Sequence, residues 1–305
     1  MRWRFVAFAV SLALIVLTIG SLAVRGLNLG IDFEGGLLLE VRADQPVDIG
    51  AMRQQLEALD VGAVQLQEFG EPTDMLIRVE LPEEGGEDAQ QVLVDKIRTS
   101  LGEGYEYRRI EFVGPSIGSE LLRDGLIATS LAILAIALYV AFRFEWQFGV
   151  SALIATLHDV VLTIGLYSAL GLEFDMTAIA ALLTLAGYSI NDTVVVFDRI
   201  REMMRRYKSA DLKTLINLSV NSTLSRTVLT GGTTLVAILA LLFFGGSTLF
   251  NFSLALAWGI VIGTISSVFV AGSLLLYMPP VGTGARASSQ TGGSPGAASP
   301  AEPRS

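Results

Sequence analysis

The chain of 305 residues is 51% hydrophobic and 17% charged, with a formal net charge of −9, one histidine and no cysteine. So apolar a composition excludes an ordinary soluble globular protein and leaves room for several membrane spans plus one small domain. Disulfides, iron–sulfur clusters and thiol nucleophiles are excluded with cysteine, and a single histidine makes no His/Cys metal site, so neither cofactor nor metal is expected.

Two arginines, Arg2 and Arg4, precede the apolar run Phe5–Val24. At 1.5 Å per residue that run matches a hydrocarbon core of about 30 Å. Residues 1–24 are expected to be a cytoplasmic N-terminus and first transmembrane helix. A cleaved signal peptide is the alternative, but the run is long for one and Ser21-Leu22-Ala23 is a poor cleavage site.

Residues 25–120 hold 20 acidic and 8 basic side chains, against 10 and 13 in the remainder. A block of that sign repels nucleic acid, and nothing elsewhere interleaves basic and aromatic residues, so no nucleic acid is expected as a partner. Strand-like runs lie at Gly36–Val41, Ala63–Phe69, Met75–Leu81 and Tyr105–Val113, and helical spacing at Ile49–Leu59 and Ala89–Leu101. The order βαββαβ predicts an α+β, ferredoxin-like domain: a four-stranded antiparallel sheet with two helices on one face. Pro72-Thr73-Asp74 is expected to turn between the middle strands, and Pro82–Asp88 to form an exposed loop.

Five further apolar segments follow, at about 121–142, 148–170, 176–197, 228–244 and 252–278. The expected architecture is therefore a polytopic α-helical membrane protein of six spans, with residues 121–278 as a five-helix bundle beside the first helix. Arg143, Arg199, Arg201, Arg205, Arg206, Lys208 and Lys213 fall in alternate loops, whereas 171–175 and 245–251 contain no Lys or Arg. By the positive-inside rule both termini face the cytoplasm and the acidic domain the other side. The Gly-, Ser-, Ala- and Pro-rich residues 279–305 read as a disordered cytoplasmic tail.

Charge inside the spans is the main functional signal, because an ionisable residue there costs roughly 2.5–3.5 kcal/mol on insertion scales. His158-Asp159 interrupts the third span, Asn191-Asp192 the fourth, and Arg226 opens the fifth beside Thr227, Thr230, Gly231 and Gly232. A carboxylate suits proton loading, since desolvation raises its pKa and a neighbouring guanidinium lowers it. Asp192 and Arg226 are expected at similar depth, with Asp159 as a second carboxylate and His158 and Tyr188 as relay candidates. Tyr188, Asp192 and Thr184 share a helix face expected to look inward. The bland alternatives are interhelical hydrogen bonds for Asp192, a neighbouring hydroxyl such as Thr163 for Asp159, and a satisfied interior imidazole for His158. Asp198/Arg201 and Glu202/Arg206 have helical pair spacing in a solvated extension, and Gly259-x-x-x-Gly263 reads as close helix packing.

Three marks in order, Gly30-Ile31-Asp32-Phe33-Glu34-Gly35-Gly36 after the first span, Gly187–Arg201 in the fourth, and Arg226-Thr227 with Thr230–Thr234 in the fifth, resemble the SecD/SecF family of the resistance–nodulation–division superfamily. The resemblance covers about residues 1–278 and is to the SecF side of that family. It implies an inner-membrane subunit that uses the proton-motive force in late steps of preprotein translocation. It also implies proton coupling at Asp192 and Arg226 and a domain at 25–120 that helps to handle the emerging chain. Only one half of the family pattern is present, so the resemblance implies a SecD partner bound to the SecYEG channel, with the translocating preprotein and a YajC-like accessory subunit as further partners. Half of a proton-coupled pump for small molecules or lipids is the alternative. An intramembrane aspartyl protease using Asp159 and Asp192 is disfavoured, because no G-x-G-D surrounds either residue, so the chain is not expected to be an enzyme.

Overall fold

A computed structural model of the chain describes residues 4–59, 61–62, 64–69, 71–79 and 87–279. The expected disordered tail from Pro280 onward and most of the expected loop at Pro82–Asp88 lie outside the described residues; Glu87 and Asp88 already belong to a helix.

The first span is α1 (Arg4–Arg25), followed by β1 (Asn28–Leu29) and the single turn α2 (Ile31–Glu34). The sheet domain then runs β2 (Gly36–Ala43), α3 (Ile49–Glu57), β3 (Val64–Phe69), β4 (Glu71–Val79), α4 (Glu87–Leu101) and β5 (Tyr105–Val113). Its strand order is β3-β4-β2-β5 with every neighbouring pair antiparallel, the order that a βαββαβ chain adopts when two βαβ units interleave. Alternation decides the two faces. Leu37, Leu39 and Val41 of β2 and Met75, Ile77 and Val79 of β4 bury against Met52 and Leu56 of α3 and Val94, Ile97 and Leu101 of α4. Asp48 starts α3 by accepting from the Gly50 and Ala51 amides at 2.9 and 3.1 Å, an N-cap.

The turn expected at Pro72-Thr73-Asp74 is not there. β4 already begins at Glu71, and its register with β3 jumps from Glu68↔Met75 to Phe69↔Glu71. Residues 72–74 thus stand opposite no β3 partner, and a proline without an N–H is accommodated at that irregularity. Asp74 instead accepts both arms of the Arg42 guanidinium at 2.5 Å.

The remaining spans are α5 (Pro115–Arg143), α6 (Trp146–Leu170), then β6 (Glu173–Phe174), α7 (Met176–Arg206), α8 (Leu212–Phe244) and α9 (Gly246–Ser266). Among the described residues six helices are long and apolar enough to cross a membrane, α9 with its continuation to Tyr277 being the sixth. Several exceed their apolar cores. Pro115 starts α5 six residues before the apolar run, as its fixed φ permits at a helix start. Asp175 caps α7 through the Ala178 amide at 2.8 Å, and Asp211 caps α8 through Thr214 at 3.2 Å. α8 therefore begins well before the apolar run, and Arg226 lies inside the helix rather than at its start. After α9 the chain passes through a π-helical turn, Ser267–Ala271, which periodicity did not foresee.

Helices α6, α7 and α9 form the centre of the bundle, while α1 and α8 expose most of their surface. Small residues set the approaches. A Cβ at Gly259 would come 2.6 Å from the Leu185 side chain, and one at Gly263 3.2 Å from Ser189, so the G-x-x-x-G seats α9 on two successive turns of α7. Gly165 of α6 lies against Thr18, the one buried residue described in α1.

Two outcomes are expected. Gly165→Val should loosen the first helix and lower stability by about 1–3 kcal/mol, read as the thermal midpoint of the detergent-solubilised protein. The Arg42 guanidinium, against the opposing effect of burial, holds the Asp74 carboxyl below its ordinary range. Its stabilisation is therefore complete above the unfolded carboxyl pKa of about 3.9 and disappears as pH falls through the lower native value. Asp74→Asn should thus melt below the parent at neutral pH and converge with it under acid.

Candidate functional site in the helix bundle

Midway along α6, Asp159 is fully buried. Its Oδ1 lies 2.9 Å from His158 Nδ1, and its Oδ2 accepts from Ser189 Oγ of α7 at 2.6 Å and Ser266 Oγ of α9 at 2.7 Å. Gly263 stands beside this junction, since a Cβ there would approach Asp159 Oδ2 to 3.6 Å. Three central helices thus meet on one carboxylate. Thr163, the hydroxyl neighbour suggested by sequence, instead donates to the Asp159 backbone carbonyl at 2.8 Å. His158 Nε2 is buried without a hydrogen-bond partner among the described residues. It borders a cavity of about 290 Å³ shared with Ser11 and Leu14 of α1 and Phe269 of the π turn. That turn is fastened next to the junction, with Thr193 Oγ1 and Ser267 Oγ 2.9 Å apart and Ser151 Oγ donating to the Ala271 carbonyl at 2.6 Å. π turns inside helices recur at functional sites.

Asp192 occupies the α7–α8 seam and is 4% exposed. It lies 14 residues from the end of α7, and Arg226 lies 14 residues from the start of α8. Each is about 21 Å of helix from the turn that joins them, so they share a level. Arg226 acts on Asp192 through its charge, and Thr230 stands beside the carboxylate. The two do not form a direct ion pair among the described residues, and Arg226 is exposed. Asp192 Oδ2, Tyr188 OH and Thr227 Oγ1 are all buried without hydrogen-bond partners among the described residues. A Cβ on Gly231 would lie 3.1 Å from Thr264 Oγ1 of α9 and 3.8 Å from that tyrosine oxygen, so the missing side chain lets α8 come close to α9 at this level. Buried polar atoms normally find partners, which marks this seam apart from the satisfied junction at Asp159.

The structure brings Asp159 to Ser189, one helical turn from Asp192, and Tyr188 and Asp192 to one seam. It does not bring in Asn191 or Thr184, which are exposed; the Thr184 hydroxyl donates to its own helix at Ala180. The expected Glu202/Arg206 pair gives way to Arg199–Glu202 at 2.5 Å. Arg201 does not pair with Asp198 but reaches the Arg143 carbonyl at 3.4 Å, beside the Phe144 ring. Ser189 and Ser266 were missed as ligands of Asp159, although Gly259, Gly263 and Ser266 at helical spacing mark the α9 face on which they meet.

The motif Gly30–Gly36 lies elsewhere, at the end of the bundle nearest the sheet. β1 pairs in parallel with β6, Asn28 opposite Glu173 and Leu29 opposite Phe174, and the Gly30 amide donates to the Phe174 carbonyl at 2.8 Å. Asp32 Oδ2 accepts from the Met176 amide at 2.9 Å, at the positive end of α7. Gly36 has φ 128° and passes so close to β4 that a Cβ would lie 2.9 Å from the Val79 carbonyl. Gly35, at φ 77°, also takes a backbone conformation that side chains disfavour. Neither the length of the motif nor its spacing revealed its contact with residues 173–176.

Comparison with known proteins accords with this arrangement. Residues 93–280 match the family model "Protein export membrane protein SecD/SecF, C-terminal", and residues 20–47 match "SecD/SecF GG Motif". The chain is 43% identical over 281 residues to the protein translocase subunit SecF of Rickettsia prowazekii, covering 90% of this chain and 89% of that one. It is 46% identical over 280 residues to the SecF of Magnetococcus marinus, with 90% and 89% coverage. Among solved structures, it resembles SecDF, a translocon-associated membrane protein from Thermus thermophilus, with a TM-score of 0.81 and 39% identity. That match covers 91% of this chain and 38% of the longer SecDF chain. By sequence, by motif and by fold, the chain belongs to the SecD/SecF family of protein export membrane proteins.

Proposed function

We propose that this chain is a SecF-type subunit of the Sec protein-export machinery. It works beside a SecD partner at the SecYEG channel of the inner membrane, with both termini cytoplasmic, and uses the proton-motive force in late steps of preprotein translocation. The observation that carries the proton step is the α7–α8 seam. Asp192 is buried with one oxygen unpartnered, while an arginine at its own depth acts on it by charge without closing an ion pair. Such a carboxylate can take a proton without breaking a bond that holds the bundle together. A buried carboxylate also gains or loses its proton when a nearby guanidinium moves.

The same observation supports a partner. Ser225, Val228, Leu229, Gly232, Thr233 and Val236 line a groove of about 680 Å³ on the outward side of α8, the helix of Arg226. A helix of SecD seated there would meet Arg226 and the exposed Asn191 from outside. Asp159 acts on the coupling indirectly, by fixing Ser189 one turn from Asp192. The domain over the far end of the bundle is the part placed to meet an emerging polypeptide.

Asp192→Asn should keep assembly with SecD and abolish stimulation of export by a proton gradient in reconstituted vesicles; normal gradient-driven export by this variant would sink the mechanism. Ser266→Ala removes one donor from Asp159. Ser189 still donates to Oδ2, so the change should lower stability by about 1–3 kcal/mol, the scale of one buried hydrogen bond to a carboxyl group, read as a thermal midpoint, and leave gradient stimulation in place.

A further inference from the structure

One guanidinium connects the sheet domain to the bundle. On β4 the residues Met75, Ile77 and Val79 face α3 and α4, so Arg78 faces the other way, towards the membrane helices. Its Nη2 lies 2.6 Å from Glu173 Oε1, and its Nη1 donates to Asn28 Oδ1 at 3.1 Å and to the Leu29 carbonyl at 3.0 Å. Both side chains are nearly buried, at 11% and 12% exposure. Glu173 belongs to β6, two residues before the Asp175 that caps α7. Asn28 and Leu29 form β1, which β6 pairs. Arg78 therefore spans both strands of the two-stranded sheet and ties them to the four-stranded one.

Around this contact the backbone leaves no slack. A Cβ on Gly30 would lie 3.0 Å from Glu173 Oε1 and 3.0 Å from Asp175 Cβ, and one on Gly118 would lie 2.7 Å from the Phe33 carbonyl. Asp32 holds the first amide of α7. The helix that carries Asp192 thus begins in a knot of close contacts, and the Arg78–Glu173 ion pair joins it to the sheet.

We propose that Arg78 and Glu173 are positioning residues for coupling: they make the sheet domain and the α7 helix move as one body, so that a change at Asp192 reaches the domain that meets the exported chain. This rests on the function proposed above. One carboxylate and one arginine besides Arg78 lie near Glu173, namely Asp175 on its own loop and, across the contact, Arg109 of β5. Of these, Arg109 is engaged by Glu111 at 2.7 Å, so it does not stand in for Arg78.

The test uses the full chain with a cysteine-free SecD partner in lipid bilayers. Because the chain has no cysteine, Lys96→Cys on α4 and Leu170→Cys at the end of α6 can carry one spin label each, and the distribution of distances between them reports whether domain and bundle are locked. The parent should give one narrow distribution. Arg78→Ala, and Glu173→Gln, which keeps shape and removes only charge, should broaden it and lower gradient-driven export about 5-fold or more, the scale of a coupling free energy. Carbodiimide labelling of Asp192 should remain parental in both, and Arg78→Lys should recover part of each loss. Narrow parental distances in Arg78→Ala and Glu173→Gln, or broadened distances with parental export, overturn the proposal. Asp192→Asn separates the two readings, since it should abolish gradient-driven export while leaving the distances narrow. If instead it exports normally, the proton reading fails while the clasp is still judged by its own distances.

Discussion

The bundle is governed by the rule that a polar group removed from water must find a partner within the protein. Asp159 shows what obeying it entails. A carboxylate in the middle of α6 draws hydroxyls from α7 and α9 and an imidazole nitrogen from its own helix. That demand explains otherwise ordinary residues: Ser189 and Ser266 face each other because a donor is required from each side, and Gly263 is small because the three helices converge there. The π turn that follows Ser266 begins at Ser267, whose hydroxyl reaches Thr193 on α7. The sixth helix is thus pinned to the fourth on both sides of the carboxylate.

Asp192 is the exception within the same core. It lies one turn from Ser189, in the same helix, and still keeps an oxygen without a hydrogen-bond partner among the described residues. A fully satisfied carboxylate resists a change of protonation, because its hydrogen bonds would have to be rearranged. One that is buried and only partly satisfied is held in a state that small movements of a neighbouring charge can alter. The two aspartates are therefore held differently despite their similar neighbourhood, the first by hydroxyls from two helices and the second by fewer bonds among the described residues. Arg226 approaches along α8, a helix whose outward face the chain leaves uncovered, so the charge beside Asp192 belongs to an open side of the bundle.

Much of this was legible in the sequence, for identifiable reasons. Apolar runs long enough for a bilayer and arginines in alternate loops gave six spans. Alternating or β-rich runs at 36–41, 63–69, 75–81 and 105–113, with helical spacing between them, revealed the order of the sheet domain. Asp192 and Arg226 stood out as charge in an apolar setting, and their common level follows from the rise of a helix. What was illegible depends on contacts between distant residues or on backbone irregularity. Pro72 reads as a turn because proline usually interrupts a strand, and only the register slip with β3 lets it remain inside one. The polar reach of α8 before Val228 is amphipathic rather than apolar, so the start of a span was placed too late. Thr184 shares a helix face with Tyr188 and Asp192, at spacings of four, but lies beyond the covered part of that face. Nothing in the spacing of Arg78 and Glu173 suggests that they meet.

The Arg78–Glu173 pair is better understood as an orienting device than as a source of stability. Burial pushes the Glu173 carboxyl up, and it does so more strongly than the Arg78 guanidinium beside it pulls it down. A carboxyl with a native value above its unfolded one binds protons more readily when folded, so the ionised form costs folding free energy as pH rises through that window. Buried ion pairs commonly behave this way, since desolvation offsets much of their attraction. What the pair does supply is direction: a planar guanidinium set against a carboxylate while it donates to an amide oxygen and a backbone carbonyl admits few alternative placements of β4 over the helices. The glycines at 30 and 36 serve the same end by letting backbone stand where a side chain would hold the sheet away. Such a fixed geometry carries a displacement of the sheet domain to the start of α7, about 24 Å of helix from Asp192, which added stability alone would not do.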